Sequence, residues 1–182
     1  GGAHEIGDLA AEGTFDVVII NSVAQYFPNV QYLLKVLRLA MNALAPGGAI
    51  FVGDVRSLPL HAAFAASVEL AQATDGLATG ELLARIERRR KNDSELVIDP
   101  ELFHALHDEL PDLGEVDVQL KRGKHLNEMS RFRYDVVLRK RGVMPAGAPA
   151  TAVDPVRAHA PTLAELERLL AEAPDVLEVR GL

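Results

Sequence analysis

The stretch Arg122 to Ser130, RGKHLNEMS, sets a histidine, an asparagine and a glutamate within four positions: His125, Asn127 and Glu128. An imidazole beside a carboxamide and a carboxylate is the material for a base and its orienting partner. Two more polar sets follow apolar runs: Asn21 and Ser22 come directly after FDVVII, and Asp54 and Arg56 come shortly after AIFV. Amide, hydroxyl, carboxylate and guanidinium groups at strand ends suit hydrogen bonding to a ligand. His61, His104, His107 and His159 have no spacing that joins them to carboxylates, so no metal is expected. Cysteine is absent, which removes thiolate nucleophiles and disulfides from consideration.

The elements around these residues place them. Phe15 to Ile20 is a β-branched apolar run, the pattern of a strand buried on both faces of a parallel sheet. Gln31 to Ala45 carries Leu33, Leu37, Ala40 and Leu44 on one helical face and stops at Pro46-Gly47-Gly48; Ala49 to Val52 begins a second strand. Strand, helix, strand is a right-handed βαβ unit, so the loops Asn21 to Pro28 and Gly53 to Pro59 share the edge where ligands of open α/β sheets bind. Leu60 to Ala73 reads as a helix with Leu60, Phe64, Val68 and Ala71 inward. Thr79 is expected to cap the next helix, which runs into the basic end Arg88 to Lys91. Asp99-Pro100 opens another, through about Leu110. Val116, Val118 and Leu120, then Phe132, Tyr134, Val136 and Leu138, alternate with polar neighbours, predicting an antiparallel strand pair joined by the His125 loop.

Length and composition bound the rest. The 182 residues, 48% hydrophobic and 25% charged, fit one soluble domain with an appendage. Net charge −7 argues against nucleic acid as a partner. The sequence has no apolar run near the roughly 20 residues that span a bilayer and no signal-peptide pattern at its start, so a cytoplasmic protein off the membrane is expected. Residues 1–141 read as the main domain, 142–161 as a Pro/Ala-rich linker, and 162–182 as a helix and strand opened by a Thr162/Glu165 capping box. A nucleotide site in such a sheet normally opens with a strand, a glycine-rich turn and a helix. Gly1-Gly2 and Gly13 follow no apolar strand, and at roughly 30 residues per βα unit two or three units are expected upstream.

The segments FDVVIINSVAQYFPNVQYLL, LAPGGAIFVGDVRSLPL, ELVIDPELF and VQLKRGKHLNEMSRFRYDVVL, in this order, resemble the methyltransferase domains embedded in nonribosomal peptide synthetases. The resemblance implies an α/β, Rossmann-like class I methyltransferase sheet, here without its N-terminal βα units and ending in an antiparallel β-hairpin. It further implies S-adenosylmethionine as cofactor and methyl transfer to the backbone amine of an aminoacyl thioester on a carrier protein, beside an adenylation domain, with carbon or oxygen methylation as the alternatives. On this basis Asn21, Ser22 and Val23 are expected at the cofactor, and Gln25, Asp54 and Arg56 at the substrate. His125, Asn127, Glu128 and Tyr26 are expected at the chemistry, with the Tyr26 ring facing a sulfonium for about 0.5 to 2 kcal/mol. The alternative is a non-catalytic remnant or interaction module of the same fold. An uncovered strand edge is an aggregation hazard, so the chain is expected either to form a homodimer through that edge or to need the rest of its domain.

Overall fold

The computed structural model describes residues 2–6, 11–122, 125–142, 156–159, 162–171 and 177–180. The chain divides into two compact units, Gly1–Val143 and Met144–Leu182. In the first, β1 (Phe15–Asn21), α1 (Val30–Ala43) and β2 (Leu44–Arg56) form the expected βαβ unit, with β1 parallel to β2. Two helices follow, α2 (His61–Gln72) and α3 (Thr79–Asn92), then a short α4 (Glu101–His104) that continues as a 3-10 turn through Asp108. The strands β3 (Leu113–Leu120) and β4 (Arg133–Lys140) complete the unit, with the five-residue α5 (Glu128–Phe132) between them.

The sheet runs β1-β2-β4-β3. The last strand in the chain inserts between β2 and β3 and is antiparallel to both. The sheet is therefore mixed and closes on an antiparallel pair, as the alternation in the two terminal strands predicts.

Helix α1 forms because Leu33, Val36, Leu37, Ala40 and Met41 recur at helical spacing and all bury on the sheet with Ile20, Ile50, Val52, Val136 and Leu138. Asn29 caps its start, the side-chain oxygen accepting from the Tyr32 amide at 2.9 Å. Near its other end the Lys140 ammonium donates to the carbonyls of Met41 and Leu44 at 2.9 and 2.8 Å, tying β4 to the end of the helix. Full burial of a leucine such as Leu37 is worth about 1.5 to 3 kcal/mol. Leu37→Ala would cost more, because a cavity would remain.

Leu60 and Ala71, expected to face inward, are exposed, and three further local expectations change. The run 15–20 is buried on one face only: Val17 and Ile19 are 55% and 68% exposed, because the described helices cover the face carrying Ile20. Strand β2 begins at Leu44 rather than Ala49, with Pro46-Gly47-Gly48 taken up in an irregularity between the pairs Phe15–Leu44 and Val17–Ala49. Thr79 is the first residue of α3 and makes no cap; Ala78 holds the capping position with no side-chain bond to give.

In the second unit β5 (Val156–His159) pairs in parallel with β6 (Leu177–Arg180), and α6 (Leu163–Ala171) lies between them in sequence. The capping pair is present, Thr162 Oγ1 accepting from the Glu165 amide at 3.3 Å and donating to its carboxylate at 2.8 Å. Most of the expected linker 142–161 lies outside the described residues, and 156–159 within it is strand β5.

Candidate functional site

The carboxyl ends of β1 and β2 meet in an unusual backbone. Ser22 and Asp54 have φ of 55° and 62°, the left-handed region, and are the non-glycine residues so placed among those described. Such conformations cost about 1 to 3 kcal/mol each and persist where surrounding contacts enforce them. The enforcement is visible: the Ser22 hydroxyl donates to the Asp54 carboxylate in a very short contact, and the Ser22 amide donates to the Gly53 carbonyl at 3.1 Å. A Cβ on Gly53 would fall 2.0 Å from the Asn21 side-chain oxygen and 2.6 Å from the Phe51 ring, so any other residue there would displace the Asn21 carboxamide.

Two residues beyond the predicted set complete the cluster. The Lys121 ammonium bridges Asp54 at 2.6 Å and Asp135 at 2.7 Å, and the Asp135 carboxylate also accepts from the Asp54 amide at 2.9 Å. Burial pushes the Asp54 carboxyl up, but hydrogen bonds from Lys121 and Ser22 with the charge of Lys121 outweigh it and hold it below the ordinary range. Burial likewise pulls the Lys121 ammonium down, and its two carboxylate partners more than reverse this. The cluster borders a cavity of about 410 Å³ whose lining includes Asp54, Lys121, His125, Asn127, Met129 and Asp135. The ends of β1 and β2 and the β3–β4 connection thus converge, although they are far apart in sequence.

Two residues further along β2, Arg56 enters a second network. It donates to both oxygens of Asp93 at 2.9 and 2.6 Å and lies 3.1 Å from a Glu95 oxygen, while its guanidinium stands 5.2 Å from the Phe64 ring centre. His61 Nε2 lies 3.1 Å from Asp93. The hydrogen bond from Arg56 is the largest influence on Asp93, whose carboxyl is held down at about 2. This network borders a larger cavity of about 790 Å³ beside α3, with Arg85, Arg88, Arg89 and Arg133 in its lining.

The predicted residues separate into groups. Asn21, Ser22 and Asp54 are joined by direct bonds, Asn21 Nδ2 donating to Ser22 Oγ at 3.2 Å. His125 and Asn127 share the smaller cavity with Asp54. The Asn127 side-chain oxygen is engaged as the cap of α5, accepting from the Ser130 amide at 3.1 Å. Glu128 turns to the larger cavity and pairs with Arg133 at 2.5 Å, apart from His125. Gln25 is buried, donating to the Ser22 carbonyl at 3.1 Å, and its side-chain oxygen has no partner among the described residues. Val23 and Tyr26 are exposed at 43% and 69%.

Lys121 and Asp135 were missed because their strands alternate polar with apolar, which reads as a solvated face. Asp93 and Glu95 gave no periodic signal at all. Among the described residues no three His, Cys, Asp or Glu side chains converge as metal ligands, and no helix is long and apolar enough to cross a membrane.

No family model matches the sequence. Among curated proteins it is 47% identical over 137 residues to the chondramide synthase cmdD of Chondromyces crocatus, covering 75% of this chain and 4% of that protein. It is 37% identical over 139 residues to the nonribosomal peptide synthetase penN of Penicillium thymicola (76% and 5%), and 36% over 139 residues to the cyclosporin synthetase simA of Tolypocladium inflatum (76% and 1%). The chain thus spans a twentieth or less of the length of these relatives. Among solved structures, a SAM-dependent methyltransferase from Archaeoglobus fulgidus aligns at TM-score 0.46 with 11% identity over 77% of this chain and 66% of that one. The N-methyltransferase NodS from Bradyrhizobium japonicum, in complex with S-adenosylhomocysteine, aligns at 0.42 with 15% identity over 74% and 50%. The chain is thus similar to a segment of nonribosomal peptide synthetases, and its α/β sheet is mixed and closes on an antiparallel strand pair.

Proposed function

We propose that this chain supplies the substrate side of an S-adenosylmethionine-dependent methyltransferase site that acts within nonribosomal peptide synthesis, on the backbone amine of an aminoacyl thioester held by a carrier protein. The observation that carries the reading is the strained, bonded pair Ser22–Asp54 at the carboxyl edge of the sheet, whose Asp54 lines the same cavity as His125. Backbone strain held in place by a polar cluster is a mark of ligand sites. The relatives, among them a nonribosomal peptide synthetase and the cyclosporin synthetase, point to the same setting.

The described residues fit one side of such a cofactor. The exposed Asn21 carboxamide and the exposed Val23 stand at the sheet edge, where the carboxamide offers a methionine moiety both a donor and an acceptor. When bound, the cofactor supplies an electrophilic methyl group on a sulfonium. The remaining work is orientation, because in-line transfer depends on holding the amine and the methyl carbon in line. Asp54 orients the acceptor from the end of β2, and Gln25, in the turn after β1, holds the Ser22 carbonyl beside it. His125 removes or holds the proton of an amine whose ordinary pKa is about 8, so a weak base suffices. The carbonyl of His125 accepts from the Ser130 hydroxyl at 2.6 Å and from the Asn127 amide at 3.0 Å, which fixes the turn that carries the imidazole.

The test is isothermal titration of the chain with S-adenosylmethionine and S-adenosylhomocysteine, followed by transfer assays with a carrier-bound aminoacyl thioester. Saturable binding that Asn21→Ala weakens is the expected result. Absence of binding to the folded chain would replace this reading with that of a non-catalytic module of the same fold.

A further inference from the structure

Helix α3 carries no buried residue, and the face it turns to the larger cavity is charged: Glu81, Arg85, Arg88, Arg89 and Asn92 recur at helical spacing in the lining. A helix that only packed would put apolar side chains there. The carboxylates of this cavity are already engaged. Glu81 pairs with Arg85 and Glu69 with Arg89, each at 2.6 Å; Asp93 and Glu95 hold Arg56, and Glu128 holds Arg133. Among the described residues, two lining arginines have donors that no protein acceptor meets. The Arg88 guanidinium makes no hydrogen bond or ion pair, and Arg133 Nε is buried without an acceptor while the rest of that side chain serves Glu128. A buried N–H without an acceptor is costly, and guanidinium groups match oxyanions with two parallel bonds.

We infer that the cavity of about 790 Å³ between α3 and the start of β4 is an oxyanion-binding site in which Arg88 and Arg133 hold a phosphate or carboxylate group. The lining has as many carboxylates as guanidiniums, so recognition comes from the unpaired donors rather than from net charge. This site borders the proposed reaction site without sharing its cluster: Asp54 and Asn127 line one cavity, Arg56 and Glu128 the other. The inference does not depend on methyl transfer and can fail or hold separately from it.

The test titrates the whole chain with inorganic phosphate, dimethyl phosphate and acetate, following amide chemical shifts. Saturable binding of an oxyanion is expected, weakened about tenfold by Arg88→Ala. Arg90→Ala, on the other side of α3 and paired with Glu87, is expected to leave it unchanged. Tighter binding of dimethyl phosphate than acetate assigns a phosphodiester group, such as a tethered substrate carries; the reverse order assigns a carboxylate. Failure of every probe to saturate, or equal effects of Arg88→Ala and Arg90→Ala, would overturn the assignment. Because Arg88 is exposed, its removal leaves the fold intact, and Arg133→Lys tests the buried donor while keeping the charge.

Discussion

Asp54 and Arg56 stand two residues apart on β2, both nearly fully buried at 7% and 6% exposure, yet their surroundings differ in kind. Asp54 sits in left-handed backbone, tied to a second strained residue and open to a cavity. Arg56 has two carboxylates and an aromatic face around it, and its carbonyl accepts from the Ile98 amide at 2.9 Å. The Arg56 network holds the segment 93–98 to the end of the sheet. The Asp54 network spends backbone energy to present polar groups. Fully satisfied charge is a device of folding, and strained polar backbone beside a cavity is a device of binding.

The largest effect that sharpens this contrast is on stability. Arg56→Met leaves Asp93 and Glu95 without their cation at a nearly buried position and is expected to cost about 3 kcal/mol. Asp54→Asn, which keeps a hydrogen-bonding group beside Lys121, is expected to cost about 1 kcal/mol. Urea unfolding of the two variants measures both, and equal losses would erase the distinction drawn here.

Acid gives the next test. The carboxyl of Asp93 is held at about 2 against an ordinary value of 3.8. A lowered folded-state value means the stabilisation is full above the ordinary value and is lost as pH falls from about 4 through about 2. Its size is about 2 kcal/mol. Unfolding midpoints of the parent should therefore drop across that window, and those of Asp93→Asn should drop less. Parallel acid profiles would mean that Arg56 does not act through Asp93.

The βαβ unit and the terminal antiparallel pair were legible because their information is local: FDVVII, the Leu33/Leu37/Ala40 face and the Val116 and Val136 alternations each state their own element. Asn21, Ser22, Asp54 and His125 were legible as polar residues where strands or loops reach one sheet edge. What joins them was not. Lys121 and Asp135 meet Asp54 only because β4 inserts between β2 and β3, a pairing no local pattern encodes. Arg56, read as a substrate residue, and Glu128, read as part of the chemistry, turn to the other cavity, since which side a residue faces near a left-handed kink does not follow period two. The exposure of Val17 and Ile19 was hidden for a related reason: an apolar run shows which faces want cover, not which elements provide it.

The smallest stability change carries the sharpest separation. Ser22→Gly relieves a left-handed conformation, worth about 1 kcal/mol, and loses a hydroxyl bond to Asp54 of about the same size. The two nearly cancel, so the unfolding free energy should stay within about 1 kcal/mol of the parent. Affinity for S-adenosylmethionine has no such compensation, because glycine frees the turn that sets Asn21 and the Ser22–Val23 backbone at the edge. It should fall by about tenfold, the loss of one charge-assisted contact. A chain with parental stability and weakened binding would show that the strain at Ser22 is held for the ligand. If binding survived unchanged, the left-handed pair would be a feature of the sheet alone, and the cofactor edge would have to be sought on other residues.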